Sequence, residues 1–338
     1  MDVTDRIDDF LRRHGLAGAA RAPLTGDASA RRYIRLTGAD GRSLLLMDTP
    51  APADDLVPFI AIGRLLARLG FSVPTIVAAD SAAGLALLED FGDDTFSRLL
   101  AAGADPEPLY DLATDVLIAL HQRFRPDDAE ELGIPLYDTR LFAEQVMLFA
   151  DVYIPVATGA TLHPVDRYAL ETAWMSVIVP ACEGPWSLLL RDYHIDNLMR
   201  LPRDGVRAAG LLDFQNAGVG PVAYDLASLL EDARRDVPAD LAAAMTSRYL
   251  DAFPGLNAAA FRRSMAVLGA VRHARVIAIF ARLALRDGRR AYLDHLPRVW
   301  RLLEGHLARP ELAPVAAWFD QHLPPDKRGG FIIPEAVQ

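Results

Sequence analysis

The sequence lacks the features that mark disulfide-bonded, membrane-spanning and nucleic-acid-binding proteins. It contains one cysteine, Cys182, so no disulfide can form within the chain. No uninterrupted apolar run of about 18 residues is present, and residues 1–11 lack the apolar core of a signal peptide. The formal net charge of -10 argues against a general nucleic-acid-binding surface. We therefore expect a soluble cytoplasmic protein, a monomer, that binds neither membranes nor nucleic acid.

Lysine is almost missing as well. The only one, Lys327, lies near the C-terminus, and every other residue with a fixed positive charge is an arginine. Three motifs are also missing: the G-x-x-x-x-G-K-[ST] loop of P-loop NTPases, the H-E-x-x-H of zinc proteases and the G-x-S-x-G nucleophile elbow. These absences exclude the commonest nucleotide-binding loop and two classes of hydrolase.

What is present indicates an α+β protein with two lobes. The chain has 338 residues, of which 51% are hydrophobic, so it can bury a sizeable core. Residues 1–90 read as the strands of a small antiparallel sheet with one inserted helix, at 54–69, and a short amphipathic helix at 2–14. Residues 91–338 read as a larger, mainly helical lobe, interrupted at 185–220. Helices are expected near 108–124, 139–153, 164–179, 222–234, 239–252, 258–286, 296–308 and 311–321.

The irregular region carries residues that suit phosphoryl transfer. Asp192 and Asn197 stand five residues apart, and the apolar run 208–212 leads to a second aspartate, Asp213. A carboxylate can align an acceptor hydroxyl and accept its proton, while carboxylate and amide oxygens are hard ligands that suit magnesium. We therefore expect Asp192 to be catalytic, and Asn197 and Asp213 to bind Mg²⁺.

At these residues the sequence resembles the protein-kinase-like superfamily, in its aminoglycoside-phosphotransferase branch. The kinase signature is H-R-D-x-x-x-x-N followed by D-F-G. Arg191, Asp192 and Asn197 match the first motif, and Asp213 with Phe214 matches the second. The histidine of the first motif is replaced by leucine in this chain. The resemblance implies a bilobal kinase fold that uses ATP and Mg²⁺.

The resemblance extends over most of the chain, from about residue 20 to residue 300. Residues 220–227 read G-P-V-A-Y-D-L-A, similar to the G-x-P-x-Y-D-L-A segment of the family. The resemblance also covers residues 26–33 and 87–92. The small-residue loop can offer Ser29 and backbone N–H groups to the nucleotide phosphates, and Gly26 permits its turn. The resemblance implies that backbone groups of residues 89–91 bind adenine. The expected adenine-binding residues are Glu89, Asp90 and Phe91.

The strand lysine of the family is absent here. Its place is taken by Met47, and no lysine is near enough in sequence to replace it. We expect an arginine beyond the small-residue loop to bind phosphate instead, Arg31, Arg32 or Arg35, because a guanidinium fork suits phosphate oxygens. The alternative is that these are solvated strand arginines.

The acceptor site is expected in the C-terminal helices. Arg272, His273 and Arg275 add positive charge to an otherwise apolar helix, which favours a neutral or anionic acceptor over a polycation. An ordinary helix with a buried histidine and surface arginines is the alternative. Glu144 and Asp151, seven residues apart, are candidate sugar ligands or solvated acids. The acceptor-site residues that we predict are Glu144, Asp151, His194, Arg272, His273 and Arg275.

Within the family, several segments look like the anomeric amino-sugar kinases of bacterial cell-wall recycling. The segments are residues 26–33, 46–48, 88–93, 191–199 and 213–215. The resemblance implies phosphorylation at C1 of N-acetylmuramate and N-acetylglucosamine, with Arg272 or Arg275 beside the muramate carboxylate. Kinases acting on an aminoglycoside, homoserine or choline, and a nucleotide-binding pseudokinase, remain alternatives. A dinucleotide-binding motif at 218–223 matches G-x-G-x-x-A but lacks the following strand with an acidic end.

Overall fold

A computed structural model describes residues 3–24, 31–49, 56–329 and 331. These residues form two compact units. The first unit comprises residues 1–123 and 195–217, and the second comprises 124–194 and 218–338. The helices of residues 91–123 thus group with the first unit, whereas the lobe boundary expected near residue 90 stays a prediction.

The described residues contain both helices and strands, in the order of an α+β protein. The strands are β1 Ala20–Leu24, β2 Arg32–Thr37, β3 Ser43–Asp48, β4 Ile76–Asp80, β5 Leu85–Glu89, β6 Trp186–Leu189, β7 Leu198–Arg200, β8 Ala209–Leu211 and β9 Gly218–Pro221. The helices are α1 Val3–Arg13, α2 Leu56–Arg68, α3 Phe96–Ala101, α4 Pro106–Arg123, α5 Pro126–Leu132, α6 Thr139–Leu148, α7 Ile154–Thr158, α8 Pro164–Ala181, α9 Ala223–Leu230, α10 Ala239–Ala252, α11 Ala258–Arg286, α12 Leu296–Leu307 and α13 Ala313–His322. A π-helical turn, Phe149–Tyr153, joins α6 to α7.

The first unit is built on a five-stranded antiparallel sheet with the order β1-β2-β3-β5-β4. Strands β3 and β5 are apolar runs of the sequence, and Leu46 and Met47 of β3 and residues 85–88 of β5 are buried. Helix α1 packs Ile7, Phe10 and Leu11 against Leu46 and Leu87 of the sheet. The predicted small antiparallel sheet with an inserted helix, α2, is confirmed.

The second unit is mainly helical and is organised around α11. Two helical segments, Thr139–Thr158 and Ala258–Arg286, are long and apolar enough to cross a membrane by length and composition alone. However, 89% of the apolar window in Ala258–Arg286 is buried by the rest of the protein, and 56% of that in Thr139–Thr158. Burial of this extent is typical of a core helix. Helix α11 packs against α6, α8, α9 and α12.

The glycines of the apparent dinucleotide motif have a packing role. Gly218 and Gly220 lie in β9, which pairs with β6. A Cβ atom at Gly218 would lie 2.1 Å from Cδ2 of Tyr137, and one at Gly220 would lie 2.9 Å from Cβ of Tyr137. Both glycines therefore make room for this aromatic ring. They belong to a strand, not to a loop before a helix N-terminus, as the motif would require.

Candidate active site

The hairpin β7–β8 brings Asn197 and Asp213 to the same end of a two-stranded ladder in the first unit. Leu198 pairs with Leu211, and the N–H of Leu212 donates to the main-chain oxygen of Asn197 at 3.0 Å. Asn197 immediately precedes one strand, and Asp213 comes two residues after the other. The backbone at the two predicted magnesium ligands is therefore close in space, while their binding of magnesium stays a prediction.

The backbone at Asp213 is held in an uncommon conformation. Asp213 has φ 57°, the left-handed region that residues with a Cβ rarely adopt. The following residue, Phe214, is buried and stacks on Phe59 of α2, with ring centroids 4.9 Å apart. Gly63 of α2 lets the ring approach, since a Cβ there would lie 3.3 Å from it. Packing of Phe214 thus fixes the direction of the Asp213 carboxylate.

The oxygen atoms at this end of the hairpin are of the kind that magnesium binds. Asn197 and Asp213 offer an amide oxygen and a carboxylate, both hard ligands. The Asp213 side chain is 35% exposed, so a ligand can reach it. Magnesium usually keeps several waters and takes only one or two protein carboxylates, which agrees with this small donor set.

Arg31 is the arginine that reaches Asp213. Its side chain is only 7% exposed, and its guanidinium donates to Oδ1 of Asp213 and, at 2.8 Å, to Oε1 of Gln215. The Gln215 amide also donates to Oδ1 of Asp213, at 2.9 Å. A buried cation therefore stands directly beside the predicted magnesium ligand, although it comes from the start of β2 and not from β3.

The other two candidate arginines bind different carboxylates. Arg32 pairs with Asp48 at 2.6 Å, and Arg35 pairs with Asp90 at 2.6 Å. Met47, at the place of the family's lysine, is fully buried in β3. None of these contacts involves Asp213, so among the three arginines the geometry favours Arg31 as the phosphate ligand.

The side chains of the segment expected to bind adenine make internal contacts. Glu89 accepts hydrogen bonds from Thr75 and pairs with Arg203, whose guanidinium lies 5.3 Å from the ring centroid of Phe91. Burial raises the pKa of Asp90. Hydrogen bonds from Arg35 and from the backbone N–H of Gly92 have the opposite and larger effect, so the pKa lies below its ordinary value. Only backbone groups of this segment are thus left for adenine.

One backbone donor of this segment is already used, because the N–H of Glu89 donates to the oxygen of Thr75 at 2.9 Å. A base would therefore have to bind other backbone groups of residues 89–91. Gly26 and Ser29, the predicted phosphate-loop residues, lie outside the described residues. The roles of all these nucleotide-site residues stay predictions.

In the second unit, a buried aspartate holds the loop that carries Asp192. The two carboxylate oxygens of Asp225, in α9, accept the backbone N–H groups of Leu190 and Arg191, the latter at 2.9 Å. Arg191 has φ 69°, a left-handed conformation that is uncommon for a residue with a Cβ. Its guanidinium lies 4.6 Å from the ring centroid of Tyr137. Asp225 and Tyr137 therefore fix the backbone and the side chain that precede Asp192.

Asp192 lies among positive charges. Burial raises the pKa of this carboxyl group, but Arg275, Arg191 and Arg272 outweigh burial and lower the pKa below its ordinary value. Asp192 is therefore ionised at neutral pH and can accept a hydrogen bond from a hydroxyl group. His194, which is buried, adds a smaller effect in the same direction.

The two predicted acceptor-site arginines lie near this carboxylate. Arg272 is buried and donates to the main-chain oxygen of Glu231 at 3.3 Å. Burial lowers the pKa of Arg275, but Tyr224 and Asp192 raise it by more. An arginine cluster beside Asp192 suits an acceptor that carries an anionic group.

The remaining predicted acceptor residues are placed differently. Glu144 pairs with Arg140, and Asp151 pairs with Arg167, both on exposed helix surfaces. His273 is fully buried, and its Nε2 lies 2.7 Å from Oε2 of Glu231. The structure therefore gives each of these three residues an internal partner, and substrate contact by any of them stays a prediction.

Sequence reasoning missed three residues that shape these sites: Asp225, Gln215 and Tyr137. Asp225 lies in the Y-D-L-A segment that is similar to the family's. This similarity could have identified it as a structural carboxylate. Gln215 follows the Asp-Phe pair by one residue. Tyr137 carries no local signal, because its role depends on β9 and on a loop that is distant in sequence.

Comparison with known proteins agrees with this geometry. The model of the phosphotransferase enzyme family (APH) matches residues 21–262. The chain is 36% identical to an N-acetylmuramate/N-acetylglucosamine kinase of Caulobacter vibrioides, over 94% of this chain and 96% of the relative. It is 37% identical to a protein of the same name from Pseudomonas aeruginosa, over 86% and 85% of the two chains.

Solved structures with the same fold are more distant in sequence. The GDP complex of aminoglycoside 2'-phosphotransferase-IIIa has a TM-score of 0.61 at 15% identity, covering 91% of this chain and 99% of that one. Choline kinase LicA of Streptococcus pneumoniae has a TM-score of 0.63 at 13% identity, covering 90% and 99%. These likenesses support the protein-kinase-like fold.

Proposed function

Because the chain belongs to the phosphotransferase enzyme family, we propose that it is an ATP-dependent sugar kinase that phosphorylates the anomeric hydroxyl of N-acetylmuramate and N-acetylglucosamine. The observation that carries the proposal is the ionised Asp192 among Arg191, Arg272 and Arg275. Two relatives that this chain matches over more than four-fifths of its length bear the name of such a kinase.

Each part of the reaction has a residue of suitable chemistry. Asp192 orients the anomeric hydroxyl and accepts its proton, and this hydroxyl is more acidic than an ordinary alcohol. Asn197 and Asp213 hold Mg²⁺, which neutralises negative charge on the phosphates when it is bound. Arg31 contributes a guanidinium to the phosphates in place of the missing lysine.

The arginines of the second unit supply substrate preference. N-acetylmuramate differs from N-acetylglucosamine by a lactyl ether that ends in a carboxylate. Arg272 or Arg275 pairs with that carboxylate, because a guanidinium binds a carboxylate through two parallel hydrogen bonds. A polycationic aminoglycoside would meet like charge at the same place.

The proposal includes a cellular context. The substrates are fragments of the bacterial cell wall, so the enzyme would act in the cytoplasm in the recycling of peptidoglycan. It would act as a monomer on a small molecule, without a nucleic-acid or membrane partner.

The test is a direct measurement of the phosphorylated product. The purified protein is incubated with ATP, Mg²⁺ and, one at a time, N-acetylmuramate, N-acetylglucosamine, kanamycin, choline and homoserine. Phosphorus and proton NMR then locate the phosphate. We expect phosphate on C1 of the two amino sugars and none on the other compounds. If only kanamycin, choline or homoserine is phosphorylated, the proposal is wrong and the enzyme is a kinase for that acceptor. If no acceptor is phosphorylated, the result favours a pseudokinase.

A further inference from the structure

A second group of chemically active side chains lies in the second unit and consists of two buried histidines and a half-buried glutamate. Glu231 follows the last residue of α9, His273 lies in the middle of α11, and His306 lies near the end of α12. Their potential ligand atoms all lie within 4.8 Å of one another. We call these three residues the Glu-His-His cluster.

The cluster converges on one carboxylate oxygen. The Nε2 atoms of His273 and His306 each lie 2.7 Å from Oε2 of Glu231. The two imidazole rings are nearly parallel, with an interplanar angle of 19° and centroids 5.6 Å apart. His273 is fully buried and His306 is 5% exposed. Two nitrogens and one oxygen thus face the same small volume.

A glycine makes room for this arrangement. Gly269 lies one helical turn before His273 in α11. A Cβ atom at this position would lie 2.7 Å from Oε2 of Glu231 and 2.8 Å from Nε2 of His306. Any larger residue would push the ligand atoms away from one another. The absence of a side chain at residue 269 is therefore a requirement of the cluster.

The Glu231 carboxylate faces the two histidines. Arg272 donates to the main-chain oxygen of Glu231, not to its carboxylate. A neutral imidazole is the form that binds metals. A half-buried carboxylate oxygen beside two imidazole nitrogens can bind a cation as well as accept a hydrogen bond.

We propose that Glu231, His273 and His306 form a binding site for a divalent transition-metal ion of the zinc type. Two imidazoles and one carboxylate are a ligand set that Zn²⁺ accepts, with a fourth position left for water. Imidazole nitrogen favours zinc, cobalt and nickel, whereas magnesium requires oxygen ligands. The site is therefore chemically distinct from the magnesium site at Asn197 and Asp213.

Metal uptake requires a small adjustment. With metal–ligand bonds of about 2.0–2.1 Å in a tetrahedral site, neighbouring ligand atoms lie about 3.3 Å apart. The ligand atoms now at hydrogen-bonding distance would separate by about 0.6 Å. Each neutral histidine would then carry its proton on Nδ1. Both Nδ1 atoms are buried without a protein partner among the described residues.

The metal would stabilise the acceptor side of the second unit. It would join the end of α9 to α11 and α12 through side chains that are far apart in sequence. Arg272 precedes His273 and donates to the main chain of Glu231, so two of the three metal ligands border the position of Arg272. The ion would therefore restrict the motion of an arginine assigned to the acceptor.

The experiment measures metal binding directly and does not depend on the acceptor. Full-length protein without an affinity tag is stripped with a chelator and titrated with Co²⁺, whose visible absorption is strong in tetrahedral sites. We expect one Co²⁺ per chain, displaced by Zn²⁺ but not by Mg²⁺, and a higher Tm with Zn²⁺ than without it. Failure of the wild-type chain to bind Co²⁺ would overturn the proposal, even if sugar kinase activity is found.

Two ligand variants and one control variant identify the site. Glu231→Gln and His306→Gln each remove one ligand and should weaken Co²⁺ binding by about 100-fold or more, since loss of an outer partner alone costs 10–100-fold. The control is His14→Gln, which removes an exposed imidazole at the end of α1. It should bind Co²⁺ as the wild type does. Equal binding by all four proteins would place the metal elsewhere and contradict the proposal.

Discussion

Arg31 and Asp213 are separated by 182 positions in the sequence and form an ion pair inside the first unit. The pair places the buried guanidinium of Arg31 on the carboxylate that we assign to magnesium. In a chain whose only lysine is Lys327, this contact supports the proposal that Arg31 provides positive charge beside the phosphates. It also means that the arginine is ordered before nucleotide binds, which reduces the entropy lost on binding.

We predict that Arg31→Ala weakens nucleotide binding. A hydrogen bond between charged groups contributes about 1.5–3 kcal/mol, so the Kd for ATP should rise by about 10–100-fold. Arg31→Lys should retain part of the affinity, because it keeps the charge but loses the fork. Calorimetry with ATP and Mg²⁺ measures the effect without turnover. Arg42→Ala, at a side chain that is 89% exposed, is the control, and an equal Kd in Arg31→Ala and Arg42→Ala would remove Arg31 from the phosphate site.

Asp192→Asn should remove turnover while nucleotide binding persists. The amide keeps the size of the side chain but cannot accept the hydroxyl proton, so kcat should fall by about 10²–10⁴. Steady-state kinetics and ATP binding are measured on the same preparation. Asp204→Asn, at an exposed turn residue, should retain wild-type kinetics. An Asp192→Asn enzyme with ordinary kcat would show that another group accepts the proton.

Arg272→Gln and Arg275→Gln should change the preference between acceptors. Loss of a charged hydrogen bond should reduce kcat/KM for N-acetylmuramate about 10–100-fold more than for N-acetylglucosamine, which has no carboxylate. The ratio separates substrate recognition from general damage, because a misfolded site would lose both sugars equally. Arg282→Gln, exposed on the same helix α11, should leave the ratio unchanged.

Asp225 should make the stability of the protein depend on pH. Burial raises the pKa of Asp225 from 3.8 to about 7. Between pH 3.8 and about 7, Asp225 is protonated in the folded chain and has lost that proton in the unfolded chain. The contribution of Asp225 to the free energy of unfolding therefore decreases as the pH rises from 3.8 to about 7, and it is constant above that range. At about 1.4 kcal/mol per pKa unit, the decrease is up to about 4 kcal/mol.

Urea unfolding of the wild type and Asp225→Asn across this pH range isolates the effect. The variant also lacks one of the two oxygens that accept backbone N–H groups, so it should be less stable by an amount that does not depend on pH. The advantage of the wild type over the variant should shrink as the pH rises. An advantage that grows with pH would mean that Asp225 is ionised in the folded chain at low pH.

Gly218→Ala should destabilise the protein by about 1–3 kcal/mol, the usual cost of overpacking a core. The new methyl group would displace Tyr137, whose ring supports Arg191. Turnover should therefore fall together with Tm. Gly184→Ala is the matched control, since no heavy atom lies within 4 Å of its added Cβ. Unchanged Tm in Gly218→Ala would show that Tyr137 can move without cost.

The sequence predicted the sheet, most helices and the family because these depend on local patterns. Apolar runs identified the central strands, and helical spacing identified α11 and its neighbours. Elements that were missed are short, such as α3 and α5, and too brief to show a period. Asn197 and Asp213 flank the two strands of one hairpin, and their role as magnesium ligands stays a prediction.

By itself the sequence determined which chemistry is available: two aspartates and an asparagine in a kinase-like order, and a chain with almost no lysine. Only the tertiary structure decided that Arg31 pairs with Asp213 while Arg32 and Arg35 pair with other carboxylates, and that His273 faces Glu231 and His306. The physical reason is that charge pairing in a folded protein acts between residues that are close in space. Strand register, helix packing and the room left by a glycine set those distances, and none of them can be read from neighbouring positions in the chain.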